Sequence, residues 1–449
     1  MNFTTYYKLF ADNSITFLLT FSYKFFRGIT HNESSHDVYE DDAISMWQFR
    51  GIKYGKIPAR FMQAELNEEF ENFTDYYHYG PRCPQKTRLV RLEDALIGIP
   101  DRFVNSTKEV FDELNCLDVI ITTPDGQDKK SKLPVMPIVH VALNYRLGPL
   151  GYVGSEELRK ELGNINRGNY GLRDIVFFPI FLSTLNILTI PQNLAITWIS
   201  KHIAPFGGSP GRLTIYSESA GSVCVESQIH SLLPPHFHRA IMQSQTMGQP
   251  LFSTPQSIEA KSDIYNKLKE NIGVKTVKEL QQVEWKKLIE AYGAIKTGSI
   301  ELGMIDDEFF GKDWRTRFSF KDQEGESIAN KTPPEVMMGN TGREGTTEEI
   351  LRTYHITIPA APVPASDRQL TDPNLADSLL TILENLFFYK GTAEFIAHAQ
   401  AHSKHKVIVR QFIFQQRNPL LTAGNFTISQ PMFWISFIFI GRRESLMIL

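Results

Sequence analysis

The chain has 449 residues, 42% hydrophobic and 22% charged, a globular composition that excludes a wholly disordered or collagen-like chain. Forty-seven basic against fifty acidic residues leave a formal charge of −3, so no global charge points to nucleic acid or an acidic membrane surface. Three cysteines exclude a disulfide-dense scaffold but leave room for one bridge, and the length suits one large or two medium domains.

The first feature in chain order is an apolar stretch, Ile15 to Tyr23, between Lys8 and Lys24. Asp12 precedes it and no small-residue cleavage site follows, so it makes an unconvincing secretory leader. Sequons fall at Asn32, Asn72, Asn105, Asn330 and Asn425; no single site exceeds chance, and together they lean mildly towards a secretory ancestor, with glycoprotein as the matching expectation. No uncharged, unbroken apolar run reaches the roughly 18 residues of a spanning helix. From about Val119, short β-branched runs alternate with amphipathic segments, the pattern of strand–helix units around a mostly parallel sheet. Strands are expected at Val135–Val139, Val141–Tyr145, Leu213–Tyr216, Ala240–Gln243, Val336–Met338 and Val407–Phe414. Helices are expected where Ala195, Ile199 and Ile203 recur, and where Val225, Ile229 and Leu233 do. The fold class is therefore α/β.

Two segments break this pattern. Residues 175–191 carry no charge, contain Pro179 and Pro191, and divide a helix lead-in ending at Asp174 from Gln192-Asn193-Leu194. The prolines limit any uninterrupted helix there to about ten residues, so a buried segment is favoured over a span. Met432–Ile440 is also strongly apolar and too short to cross a bilayer.

The most informative run is Arg212-Leu213-Thr214-Ile215-Tyr216-Ser217-Glu218-Ser219-Ala220-Gly221, a strand entering a tight turn that opens a helix. A serine on such a turn projects its Oγ from the sheet edge, where the helix N-terminus favours developing negative charge. Small residues two before and two after it let the backbone pass; Gly221 fills the second position, and Ser217 stands where G-x-S-x-G has glycine.

Separate stretches in chain order carry a resemblance to the type B carboxylesterases, the branch of α/β hydrolases that includes the cholinesterases and their non-catalytic adhesive relatives. Phe49-Arg50-Gly51-Ile52-Lys53-Tyr54 with Pro58, Arg60 and Phe61 looks like the family's N-terminal signature. Asn144 to Gly151 and Gly168 to Asp174 are near-identical to family blocks, Phe206 to Pro210 leads into the elbow, and Arg239 to Ser244 follows it. The likeness spans roughly Phe49 to Thr427. It implies an α/β-hydrolase domain at 49–428, with 175–191 foreign to it, an N-terminal extension at 1–48 and an unrelated apolar tail at 429–449.

By the same resemblance, Ser219 is the nucleophile that forms an acyl-enzyme, and the Ala220 amide donates to the oxyanion. Glu344, in Gly342-Arg343-Glu344-Gly345, is the acid that orients a histidine, obeying the order Ser, acid, His. Ser244 corresponds to the serine supporting that acid. Cys83 and Cys116 correspond to the family's first disulfide, while Cys224 reads as a small buried hydrophobe. The family implies a small-molecule ester substrate, no cofactor, and residence outside the cell or in the endoplasmic reticulum lumen. His398, His402 and His405 share helical spacing, yet with Lys404 and Lys406 beside them and no carboxylate they read as a solvated face rather than a metal site.

Two family features are absent. The oxyanion loop, H-G-G-G or close to it, should follow the strand ending at His140, but Val141-Ala142-Leu143 comes at once. Two parallel strands of one sheet need a crossover of about a dozen residues, so either one strand is displaced or the two merge. A base histidine should follow the last strand, and none occurs after His405. These breaks share one form and read as family blocks cut by missing exonic and retained non-coding sequence. The resulting expectation is a serine ester hydrolase impaired in this chain; the alternative is a non-catalytic binding or adhesion module.

Overall fold

The computed structural model describes residues 7–9, 15–21, 24–32, 45–69, 74–86, 110–124, 126–135, 139–163, 168–175, 181–182, 187–188, 194–233, 237–244, 246–247, 254–295, 303–316, 335–341, 390–402 and 409–414. Eleven strands matter for the site. Tyr7–Leu9 (β1), Ile15–Phe21 (β2), Lys24–Asn32 (β3) and Ser45–Lys53 (β4) form an antiparallel meander, which continues through Asp118–Pro124 (β5) to His140–Leu143 (β7). The leader-like stretch is therefore mostly strand: Phe17 to Phe21 pair with Lys24 to Gly28.

A second sheet is wholly parallel. Leu133–Val135 (β6), Gly208–Glu218 (β8), Arg239–Gln243 (β9), Glu335–Thr341 (β10) and Val409–Phe414 (β11) lie in that order. The registers Glu218↔Gln243, Gln243↔Gly339 and Thr341↔Phe414 align their carboxyl ends along one edge. Ala195–His202 (α2), Ala220–Ile229 (α3) and Lys390–His402 (α5) pack on this sheet, Tyr170–Ile175 (α1) packs against α2 and α3, and Ile258–Ile272 (α4) lies farther out. The expected α/β architecture is present.

Spacing dictates what these helices bury. Ala195, Ile199 and Ile203 recur every four residues, and Leu194 and Trp198 share the burial, so α2 sinks into one cluster with Phe49, Val119, Leu213, Ala240, Met242 and Met338. The α3 face ends sooner than its periodicity suggests. The helix stops at Ile229, and buried Leu233 lies beyond it, because Pro234 and Pro235 disfavour helical backbone before them.

Two strand assignments need correction. Of the segment expected at Val135–Val139, the strand Leu133–Val135 pairs with β8 while 136–138 lie outside the described residues, and β7 instead lies antiparallel to β5, with His140 opposite Thr122. The link between β6 and β7 is far too short for a parallel crossover, so β7 is built into the other sheet. An isolated parallel bridge, Val135 to Val139, links the two sheets.

Cys83 and Cys116 form the expected disulfide, 33 residues apart in sequence with Cα atoms at 4.8 Å. Closing a loop of that length stabilises by about 3–4 kcal/mol in the chain-entropy account. Cys83→Ala with Cys116→Ala is expected to lower the unfolding free energy measured in urea by that amount, and reducing agent should do the same to the parent chain.

Asp118 opens β5 in the core. Burial pushes its carboxyl up to about 6 against 3.8 in the open chain, even with Lys53 Nζ at 3.4 Å and Asn144 Nδ2 at 3.3 Å. A raised acid binds its proton more tightly in the folded state, so this contribution is full below about pH 4 and lost as pH rises through 6. Asp118→Asn is expected to flatten that part of the stability–pH curve.

Candidate active site

At the parallel sheet's carboxyl edge, β8 gives way to α3 through a single residue. Ser219 has φ +54° and ψ −122°, a sparsely populated conformation for a residue with a Cβ that costs about 1–3 kcal/mol and persists only where surroundings enforce it. They do so here: the Ser219 amide donates to the Gln243 carbonyl at 3.0 Å, and its carbonyl accepts from the Val223 amide at 3.2 Å. The half-buried serine thus caps a ten-residue helix, with the Ala220 amide among the donors left free at such an end.

The crossing of strand and helix explains the composition around it. A Cβ placed on Gly221 would lie 2.7 Å from Ser217 Cβ, a separation that side-chain carbons essentially never show. Glycine is obligatory at one of these positions; serine is tolerated at the other because Gly221 yields the room. The departure from G-x-S-x-G is therefore compatible with the turn.

Ser244 follows β9, buried and also left-handed at φ +61°, its amide donating to Gly339 O at 2.9 Å. Hence Ser219, Ser244 and the end of β10 meet on one edge, where open α/β sheets bind ligands. Glu344 and His405 lie outside the described residues, Glu344 three positions beyond the end of β10. His398 and His402 sit on α5, and no group of three or more metal-ligating side chains occurs among the described residues. Cys224 is buried, with the hydroxyls of Tyr145 and Tyr152 each at 3.7 Å, and burial pushes its thiol up, as suits an inert side chain.

His140 does not end a strand beside the serine. It opens β7, and Nε2 contacts the hydroxyl of Tyr216 on β8. Burial lowers the imidazole and pushes the Tyr216 phenol up to about 12, so the pair is neutral at pH 7. The readable signal was the apolar run on both sides of His140, Ile138-Val139 and Val141-Ala142-Leu143. Between β7 and β8 lies a cavity of about 380 Å³, and on its wall buried Gln228 presents an Oε1 that accepts no hydrogen bond among the described residues.

A model of the carboxylesterase family matches residues 34–141 and 137–381. The chain is 28% identical over 362 residues to Lipase 1 of Yarrowia lipolytica, covering 71% of this chain and 65% of that protein. It is 29% identical over 234 residues to liver carboxylesterase 1 of Mus musculus, covering 45% and 36%. The chain thus spans less than two thirds of the length of these relatives. A PNB esterase structure superposes with TM-score 0.60 at 18% identity, covering 94% of this chain and 84% of that one, a likeness of fold.

Proposed function

The chain belongs to the carboxylesterase family, and from that premise we propose that Ser219 holds the nucleophile position of a carboxylic-ester hydrolase whose turnover is impaired in this chain. The observation that carries the reading is Ser219 itself, a non-glycine residue kept left-handed at a strand-to-helix turn with a helix amide next to it. In this reading Ser219 Oγ attacks the ester carbonyl to give an acyl-enzyme, the Ala220 amide donates to the oxyanion, and Glu344 is the acid of the triad, supported by Ser244. No cofactor enters; the substrate is a small-molecule ester.

Impairment follows from the interior of the chain. Only Met136-Pro137-Ile138-Val139 separates β6 from β7, with no glycine to present backbone donors opposite Ala220. One lost oxyanion donor costs about 100- to 1000-fold in turnover. The same gap favours a second reading, a non-catalytic binding module, since the elbow and core around it are formed. The domain limits 49–428, the foreign segment 175–191, glycosylation and a secretory location belong to this proposal. Among the described residues no helix is long and apolar enough to cross a membrane.

Hydrolysis of p-nitrophenyl butyrate, measured alongside thermal unfolding, tests the reading. Turnover about 100-fold or more below that of the relatives and abolished by Ser219→Ala supports it. Cooperative unfolding with no Ser219-dependent turnover supports the binding module. Turnover unchanged in Ser219→Ala sinks the hydrolase reading.

A further inference from the structure

The cavity of about 380 Å³ beside β7 and β8 has a mostly apolar wall. An apolar cavity of roughly 150 Å³ admits benzene, so this one has room for a body about twice that size. Gly221, Cys224, Val225 and Gln228 recur at the i, i+3, i+4, i+7 spacing of one helix face and form the α3 side of the wall. Thr214–Glu218 of β8 and His140–Leu143 of β7 form the strand sides. At about 3.3 Å per residue the β8 side runs for about 13 Å, so the space is elongated. Ser217 and Glu218 line it and Ser219 does not, which separates it from the position proposed for ester attack.

The few polar groups on this wall are selective. Gln228 is 1% exposed; its Nε2 donates to the Leu172 carbonyl at 3.1 Å, and its Oε1 accepts no hydrogen bond among the described residues. A buried acceptor in that state costs free energy that a donor recovers. No lysine or arginine lines the cavity, and burial lowers the His140 imidazole, so an anion entering it would lose its hydration without gaining a counter-charge. Water would pair with Gln228 but leave the apolar remainder of the volume unfilled. The wall therefore suits an elongated apolar body that carries one donor and no charge.

We propose that this cavity binds an uncharged alcohol of medium chain length, with the alkyl chain along β8 and the hydroxyl donating to Gln228 Oε1. Ethers and esters have no donor to offer and carboxylates bring a charge, so neither class matches the wall. The site rests on the cavity and on Gln228, and stands whether or not Ser219 turns over esters.

Titration calorimetry of the full chain with n-octanol is expected to show one saturable site, with methyl octyl ether and octanoate each bound about tenfold more weakly or worse. Gln228→Leu should weaken octanol about tenfold and leave the ether as it was. The location is read at Cys224, the one thiol outside the disulfide, which lies on the cavity wall. Saturating octanol should slow modification of that thiol by methyl methanethiosulfonate about tenfold, because the reagent and the alcohol need the same space. The ligand series and the thiol protection use the unaltered chain, which keeps the test decisive if Gln228→Leu does not fold. No saturable binding of octanol, equal binding of the ether or of octanoate, or binding that leaves the modification of Cys224 unchanged overturns the proposal.

Discussion

Asp174→Ala is expected to unfold the protein or to remove about 3–5 kcal/mol of its stability, the largest effect of any single substitution considered. Arg146 and Asp174 are 2% and 0% exposed, and the guanidinium grips the carboxylate with Nε at 2.8 Å and Nη2 at 2.6 Å, while the Arg146 amide adds a third bond at 3.1 Å. Burial raises the Asp174 carboxyl and Arg146 opposes that shift, so the charged pair persists through mutual attraction. Removing one partner strands the other charge in the core, which is the costly half of a buried pair. Against a total stability of about 5–15 kcal/mol, that is a large share. Replacing both, Arg146→Met with Asp174→Leu, should recover much of the loss, because shape is kept and no charge is left behind. Urea unfolding of the two single variants and the double variant closes the cycle; equal losses in all three would show that packing, not charge, is at stake.

The same residues show what was legible in advance. The elbow could be read because its demands are local: a strand, a serine, and a glycine where Ser217 and the helix start nearly collide. The pairing of Cys83 with Cys116 was readable only from family resemblance, since three cysteines allow three pairings. β7 was misplaced because a strand's partner is a long-range property. His140 looked like the end of one strand, and only the pairing with Thr122 shows that it begins another in a different sheet. The apolar residues at Ile15–Phe21 illustrate the complementary limit, since hydrophobicity alone does not separate a leader from a paired strand. For Glu344, sequence order remains the support, because it lies outside the described residues.

Deleting Ile175–Pro191 is expected to stabilise the fold, by about 2–3 kcal/mol and a few degrees in Tm, while leaving the surroundings of Ser219 intact. The decisive contact is a backbone hydrogen bond from the Leu194 amide to the Arg173 carbonyl at 2.9 Å, followed by Trp198 N to Leu194 O at 2.9 Å. Those two links are successive rungs of an α-helical ladder, except that Arg173 and Leu194 stand 21 positions apart. Removing the 17 residues from 175 to 191 brings them to four apart, the spacing of an α-helical bond. The helix segments on either side of 175–191 thus already share a helical hydrogen bond, and within that stretch Phe181–Leu182 and Ile187–Leu188 pair antiparallel. Holding the ends of a 17-residue loop at helical distance costs about 2.5 kcal/mol of chain entropy, which the deletion returns. It also rejoins Asp174, fixed by Arg146, to Trp198 in the core without changing the direction of either. Calorimetry of the deletion variant reads the shift directly. A lower Tm would mean that the segment supplies core packing of its own, and would remove the grounds for treating it as foreign to the domain.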